Sequence, residues 1–250
     1  MSVFRFKQFS VKNLRSAMKV NTDGVLLGAC LQLGDHPVTV LDAGTGTGTI
    51  ALMTAQRLNE KGILESSRIV GIDIDKDSAE EAGENFRSSK WAAFMECRNV
   101  ALQDCEGSFD IIISNPPFFD FSLPNPDERK NLSRHTAVPS EEMKDGAAMS
   151  YRTLIDYSND HLKENGVLAM ILPSECEIPL RRLALSHGLQ MTHILRIRTT
   201  PSKAPSRIIV HLKKNSSAGT VPVEEELIIQ NNGEYTPGYK ALVKDFYLWG

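Results

Sequence analysis

The feature that most constrains the fold is a glycine-rich turn between a strand-like run and a helix-like one. Pro37-Val38-Thr39-Val40-Leu41-Asp42 reads as a short buried strand, and Thr49 to Leu58 reads as a helix. Between them, Gly44, Gly46 and Gly48 lack the side chains that would keep a ligand away from the backbone at a helix N-terminus. Such a turn, taken alone, fits a ligand cradle or merely a tight strand-to-helix connection. The unit then repeats: Arg68 to Asp73 is a second strand, and Asp77 to Phe86 a second helix with Asp77 or Ser78 as its cap.

Further strands are predicted at Ala93 to Val100, Phe109 to Ser114 and Gly166 to Leu172, the last after a helix near Ala147 to Lys163. Strands alternating with helices predict an α/β fold with a mostly parallel central sheet and helices on both faces. Beyond Pro173 come a helix at Ile178 to Ser186 and two strands, Met191 to Arg198 and Arg207 to Lys213. The Pro/Ser loop between them, Thr199 to Ser206, predicts an antiparallel hairpin at the sheet edge. Lys214 to Pro222 reads as a surface loop and Val223 to Ile229 as one more strand.

A chain of 250 residues can bury one substantial core, so residues 1–250 are expected to form a single domain. Within it, residues 1–35 form a basic N-terminal extension. Residues 120–144, with Pro124, Pro126, Pro139 and no clear period, form a long loop of the kind used as a lid or binding loop. With 41% hydrophobic and 24% charged residues, the composition excludes disordered and fibrous classes. No apolar run approaches a membrane span, and the expected location is the cytosol. Cys30, Cys97, Cys105 and Cys176 have neither zinc-site spacing nor disulfide density, so they are expected reduced. The net charge of −3 argues against a nucleic-acid binder, but residues 1–22 hold Arg5, Lys7, Lys12, Arg15 and Lys19 and no acid.

Asp73, at the end of the second strand, is placed to accept hydrogen bonds from the ribose hydroxyls of a nucleoside-bearing cofactor, or else to cap the helix that follows. The dinucleotide fingerprint Gly-x-Gly-x-x-Gly is not matched, because residue 49 is Thr. Asn115-Pro116-Pro117-Phe118 follows the strong strand and offers an amide oxygen, a rigid carbonyl and a ring face at its tip. An exocyclic aromatic amine is a poor nucleophile, because its lone pair is delocalised into the ring. If Asn115 Oδ1 and the Pro116 carbonyl accept its two N–H groups, they favour a pyramidal nitrogen as positive charge develops. Phe118 would stack on the base, worth roughly 1–3 kcal/mol. The bland alternative is a turn after a buried strand. The arrangement calls for no metal and no covalent nucleophile.

Taken together, Asp42, the three glycines, Asp73 and Asn115-Pro116-Pro117-Phe118 resemble class I S-adenosylmethionine-dependent methyltransferases of Rossmann-like fold. The resemblance implies that Asp42 sits near the methionine moiety, Gly44, Gly46 and Gly48 line the cofactor, and Asp73 holds the ribose. It puts Asn99 near the adenine amine, where related enzymes often carry Asp, and Asn115 at the junction of cofactor and substrate. Similar four-residue signals occur in enzymes that methylate protein glutamine or ribosomal guanine amines, so the motif gives the chemistry and not the substrate. Phe4 to Val11, Ala17 to Ala29, the two motifs and Asp245 to Leu248 together resemble the bacterial tRNA1(Val) adenine-37 N6-methyltransferase family over nearly the whole chain. That implies methylation of the N6 amine of adenine 37 in a valine tRNA. The alternatives are another planar amine, either rRNA guanine N2 or protein glutamine, and a non-catalytic RNA- or cofactor-binding module.

With a tRNA substrate, Lys7, Lys12, Arg15 and Lys19 are the expected phosphate contacts. Phe4, Phe6 and Phe9 fit core anchoring or base stacking, and anchoring is favoured because an N-terminal segment needs apolar contacts to be ordered. Thr22 and Asp23 either shape the cofactor entrance or, for Asp23, cap a helix from Gly24. Arg129, Lys130, Arg134 and His135 form a second basic cluster or a solvated loop, and Arg134 joins the expected substrate contacts. No coiled-coil seam is visible, so a monomer is expected.

Overall fold

The computed structural model describes residues 3–117, 149–215 and 220–249. Phe118, Arg129, Lys130, Arg134, His135 and the loop expected at 120–144 lie outside the described residues. The strands are β1 (Val3–Arg5), β2 (Ser10–Lys12), β3 (Thr39–Ala43), β4 (Arg68–Asp73), β5 (Met95–Asn99), β6 (Phe109–Ser114), β7 (Leu162–Pro173), β8 (Leu189–Arg198), β9 (Arg207–Lys214), β10 (Val223–Ile228), β11 (Gln230–Asn231) and β12 (Glu234–Tyr235). The helices are α1 (Thr22–Cys30), α2 (Thr49–Glu60), α3 (Lys76–Arg87), α4 (Tyr151–His161), α5 (Glu177–Ser186) and α6 (Pro237–Val243).

Eight strands form one sheet in the order β5-β4-β3-β6-β7-β9-β8-β10. From β5 through β7 every pairing is parallel, and β9 then runs antiparallel to both β7 and β8. The expected hairpin is therefore present at this end of the sheet, with β10 added outside it, parallel to β8. Successive side chains along a strand face opposite ways, so a sheet covered twice needs unbroken apolar runs. Ile111 and Ile113 enter the core beneath α1, α2, α3 and α6, whereas Ile112, Leu168, Met170 and Leu172 enter the core beneath α4 and α5.

Helix starts follow side-chain caps more closely than apolar periodicity. The cap of α3 is Asp75, which accepts from the Ser78 amide at 2.9 Å, rather than Asp77 or Ser78. The cap of α1 is Asn21, which accepts from the Gly24 amide at 2.8 Å. Asp23 instead accepts from Arg207 Nε at 3.0 Å. Ser150 and Thr153 form a capping box that starts α4 at Tyr151, and β7 begins at Leu162, before the predicted Gly166. Each cap stabilises its helix by about 1 kcal/mol.

The N-terminal aromatics are anchors. Phe6 and Phe9 are buried and their rings stack 4.5 Å apart, and Phe6 also stacks on Tyr247 at 6.0 Å. The Lys7 amide donates to the Phe246 carbonyl at 2.8 Å, and Lys7 Nζ donates to the Lys244 carbonyl at 2.7 Å. From β2 onward, residues 12–19 run as a strap along α3. Glu81, 1% exposed, accepts three successive amides of that strap: Leu14 at 2.7 Å, Arg15 at 3.0 Å and Ser16 at 2.9 Å. Asn85 adds a reciprocal pair with the Lys12 backbone.

All four cysteines are free thiols. Among the described residues no helix is long and apolar enough to cross a membrane, and no cluster of His, Cys, Asp and Glu could hold a metal ion.

Candidate active site

The parallel register brings the predicted motifs to one edge of the sheet. Ala43 pairs with Ser114, which sets Gly44 beside Asn115, and Asp73 pairs with Asn99 on the neighbouring strand. Gly44, Gly46 and Gly48 have φ of 68°, 55° and 79°, the left-handed region that a residue with a Cβ enters only under strain. The turn is laced to β4: the Thr45 amide donates to the Ile72 carbonyl and the Gly46 amide to Asp73 Oδ2, both at 2.9 Å. A Cβ on Gly44 would run into the Met149 methyl. The space over that glycine is thus shared with Met149, which precedes the Ser150 cap of α4.

Asp42 is wholly buried. Its Oδ2 accepts from Thr45 Oγ1 at 2.8 Å and from the Ala51 amide at 3.1 Å, while Oδ1 has no hydrogen-bond partner among the described residues. Burial pushes this carboxyl up to about 7 against the lowering effect of Thr45 and Ala51, and the nearby Asp73 adds to the rise. Asp73 accepts from the Gly46 and Asp75 amides, the latter at 3.0 Å. It does not cap α3, since Asp75 does. Burial is the main cause that raises the Asp73 carboxyl, and the two amides oppose it.

Asn99 donates both amide hydrogens to backbone carbonyls, those of Asp73 and Ile74, each at 2.9 Å. Its oxygen is therefore the end left for a ligand amine. Directly after Asp73 comes Ile74, 68% exposed, an apolar side chain held in water at the strand tip, whose carbonyl Asn99 holds. Sequence reasoning passed over it, although an isoleucine placed directly after Asp73 was a readable signal. Such a side chain can cover one face of a purine ring.

Asn115 is 7% exposed. Its Nδ2 contacts Met18 Sδ at 3.6 Å, and its Oδ1 is buried without a partner among the described residues. Met18, Asn21, Gly44, Gly46, Thr49 and Asn115 line one cleft together, with Lys19 at its wall. Met18 and Asn21 come from the end of the strap, a contribution that the motifs alone did not reveal.

The predicted basic strip is not assembled at this cleft. Lys12 Nζ lies 2.8 Å from Glu84 Oε2, and Arg15 pairs with Glu84 at 2.6 Å and Glu80 at 3.5 Å. Lys19 Nζ donates to the Leu14 carbonyl at 2.7 Å and acts on Glu81 through its charge. Lys12, Arg15 and Lys19 thus face the three carboxylates Glu80, Glu81 and Glu84 of α3. Lys7 is far from the cleft, against the Lys244 carbonyl. Of the five lysine and arginine contacts expected, Arg134 lies outside the described residues, and among those described Lys19 alone reaches the cleft. The signal for this pairing was the spacing of Glu80, Glu81 and Glu84 on one helix, which the sequence analysis left unused.

Comparison with known proteins gives a consistent picture. The Methyltransferase small domain family matches residues 9–127. A Flavobacterium johnsoniae protein named tRNA1(Val) (adenine(37)-N6)-methyltransferase is 37% identical over 98% of this chain and 99% of its own length. A protein of the same name from Phocaeicola vulgatus is 37% identical over 98% of this chain and 97% of its own. Among solved structures, a predicted O-methyltransferase from Agrobacterium tumefaciens superposes with a TM-score of 0.62 at 18% identity, covering 90% of this chain and 96% of that one. At that identity the likeness speaks for the fold, a class I methyltransferase Rossmann-like sheet.

Proposed function

The chain belongs to the tRNA1(Val) (adenine(37)-N6)-methyltransferase family, and on that premise we propose that it methylates the N6 amine of adenine 37 in the anticodon loop of a valine tRNA, with S-adenosylmethionine as donor. The residues at this edge of the sheet fit that cofactor. Asp42 Oδ1 is a buried acceptor without a partner among the described residues, Asp73 and Asn99 present oxygens at adjacent strand tips, and Ile74 follows Asp73 with an exposed apolar side chain. S-adenosylmethionine supplies an electrophilic methyl group on a positively charged sulfur. In this reading Asp73 takes the ribose hydroxyls, Asn99 the adenine amine, and Gly44, Gly46 and Gly48 leave room along the backbone. Asp42 balances the charge of the methionine end.

The observation that carries the chemistry is Asn115 Oδ1, buried and without a partner among the described residues, beside Gly44. A buried acceptor left unpaired costs about 1–3 kcal/mol, which the substrate amine recovers by donating to it. With the Pro116 carbonyl taking the second N–H, the amine lone pair is drawn out of conjugation as charge builds on nitrogen, so the stabilisation is largest at the transition state. An anticodon-loop adenine is unpaired and costs little to extrude. Phe118 stacking on the base and Arg134 meeting a phosphate belong to the same reading, and both lie outside the described residues. Lys19 is the strip cation at the cleft. Lys7 would have to leave the Lys244 carbonyl, and Lys12 and Arg15 would have to leave Glu84, to reach a phosphate; solvent screening keeps such exposed contacts weak. We further assign residues 1–250 to one domain acting as a cytosolic monomer, for which sedimentation of the purified protein with and without tRNA is the check.

The test of the reaction is transfer of a labelled methyl group from S-adenosylmethionine to total tRNA from cells lacking the gene, followed by nucleoside analysis. N6-methyladenosine in valine tRNA is the expected result. Label in rRNA or protein with none in tRNA would overturn the substrate while keeping the methyl transfer.

A further inference from the structure

An asparagine side chain has two ends of nearly equal size and opposite hydrogen-bonding character. Only the orientation of Asn115 that turns Oδ1 toward the incoming amine can support methyl transfer; flipped, it would present N–H donors to N–H donors. Something must therefore select between the two orientations. Ser114, next in the chain, donates its hydroxyl to the Ala43 carbonyl at 2.8 Å and fixes the backbone there, but it does not act on the amide. The described contact to the amide nitrogen is with a sulfur, Met18 Sδ, at 3.6 Å from Nδ2.

We propose that Met18 is a positioning residue for the reaction: its thioether holds Asn115 Nδ2 and so keeps Oδ1 turned to the substrate amine. A thioether accepts a hydrogen bond weakly and can never donate one, so it tolerates the nitrogen end of the amide and repels the oxygen end. The position of Met18 agrees with this role. It is 40% exposed and belongs to neither hydrophobic core, so packing does not account for it. Its backbone is nevertheless tightly held. Ser16 Oγ donates to the Met18 carbonyl at 3.1 Å, and the Ser16 amide is bound by Glu81 at 2.9 Å. The strap is thus a rigid mount that carries one sulfur atom from α3 to the amide. The proposal rests on the reading of Asn115 as the acceptor for the amine.

Met18→Leu keeps the size and apolar character of the side chain and removes the acceptor. Expected are an unchanged melting temperature, an S-adenosylmethionine Kd within about twofold of wild type, and a kcat on tRNA lowered about tenfold, the scale of one lost hydrogen bond. Met18→Glu restores an acceptor at similar reach that, when ionised, likewise cannot donate, and should bring kcat back to within about threefold of wild type. A wild-type kcat in Met18→Leu overturns the proposal. A slow Met18→Leu with no recovery in Met18→Glu also overturns it, by assigning Met18 to shape alone. Asn115→Ala is assayed alongside: if that variant keeps the wild-type rate, the reading of Asn115 itself is wrong, a result distinct from either outcome at Met18.

Discussion

Asp42 and Glu81 are carboxylates on the same side of one sheet, 0% and 1% exposed, and they differ in what they hold. Glu81 spreads three amide hydrogen bonds over both oxygens. Desolvation raises its carboxyl, but the amides of Arg15, Ser16 and Leu14 and the charge of Lys19 more than reverse this, and the net effect is a value below the ordinary one. Asp42 holds two donors on one oxygen and none on the other, so desolvation wins and the group is pushed up to about 7. The strap around Glu81 is electrically and sterically complete. The turn around Asp42, like Asn115 beside it, keeps an unpaired acceptor among the described residues. Two such acceptors on adjacent strand ends are what the proposed ligand would pair.

The largest effect should come from the incomplete side. Asn115→Ala is expected to lower kcat by about 10²–10³-fold, the range for loss of a preorganised charge-stabilising group, while thermal stability stays near wild type. A thermal melt and a single-turnover assay together check this. On the complete side the outcome inverts: Glu81→Ala leaves three amides without their acceptor and should cost about 2–3 kcal/mol in denaturant unfolding. If stability is untouched and only activity falls, Glu81 belongs with the reacting groups and the contrast fails.

A smaller effect sharpens the contrast through pH. The folded-state value of Asp42 is raised from 3.8 to about 7, so the folded ligand-free protein binds the extra proton and its stability declines as pH climbs from about 4 to 7, then levels off. Glu81 runs the other way, its contribution present above the ordinary 4.5 and lost as pH falls through its depressed folded value. Because the positively charged cofactor favours ionised Asp42, S-adenosylmethionine affinity should rise by up to about tenfold per pH unit until about 7, and flatten beyond. Titration calorimetry on Asp42→Asn should show that slope removed. Smallest of all, Lys12→Ala with Arg15→Ala should change the KM for tRNA by less than about threefold, because their charges already face Glu80 and Glu84. A large rise in KM would return them to the RNA footprint.

The parallel half of the sheet was legible because strands covered on two faces must be apolar throughout, and Phe109–Ser114 and Arg68–Asp73 match their predicted limits residue for residue. The caps were read less well. Asp75 and Asn21 look no different in sequence from the neighbouring Asp77 and Asp23, and backbone geometry alone chooses between them. At the site, the glycines, Asp42, Asp73 and Asn115 announced themselves because each motif is local. Met18 and Ile74 did not, because one meets Asn115 from 97 positions away and the other stands out only by its exposure. The basic strip misled for a physical reason: counting charges along a segment ignores the acidic helix on which it lies.

The clamp of residues 6 and 7 onto Lys244, Phe246 and Tyr247 bears on how the enzyme is made. The Lys7 ammonium waits for a carbonyl 237 positions later in the chain. At about 5–20 residues per second, synthesis of that interval occupies roughly 10–50 s. During this time the sheet from β3 onward can assemble, while the leading hairpin lacks half of its aromatic neighbours. The nascent chain therefore acquires its glycine-rich turn and the strap on α3 early and its fully packed leading hairpin late, so that Tyr247 sets when the rings of Phe4 and Phe6 come to rest.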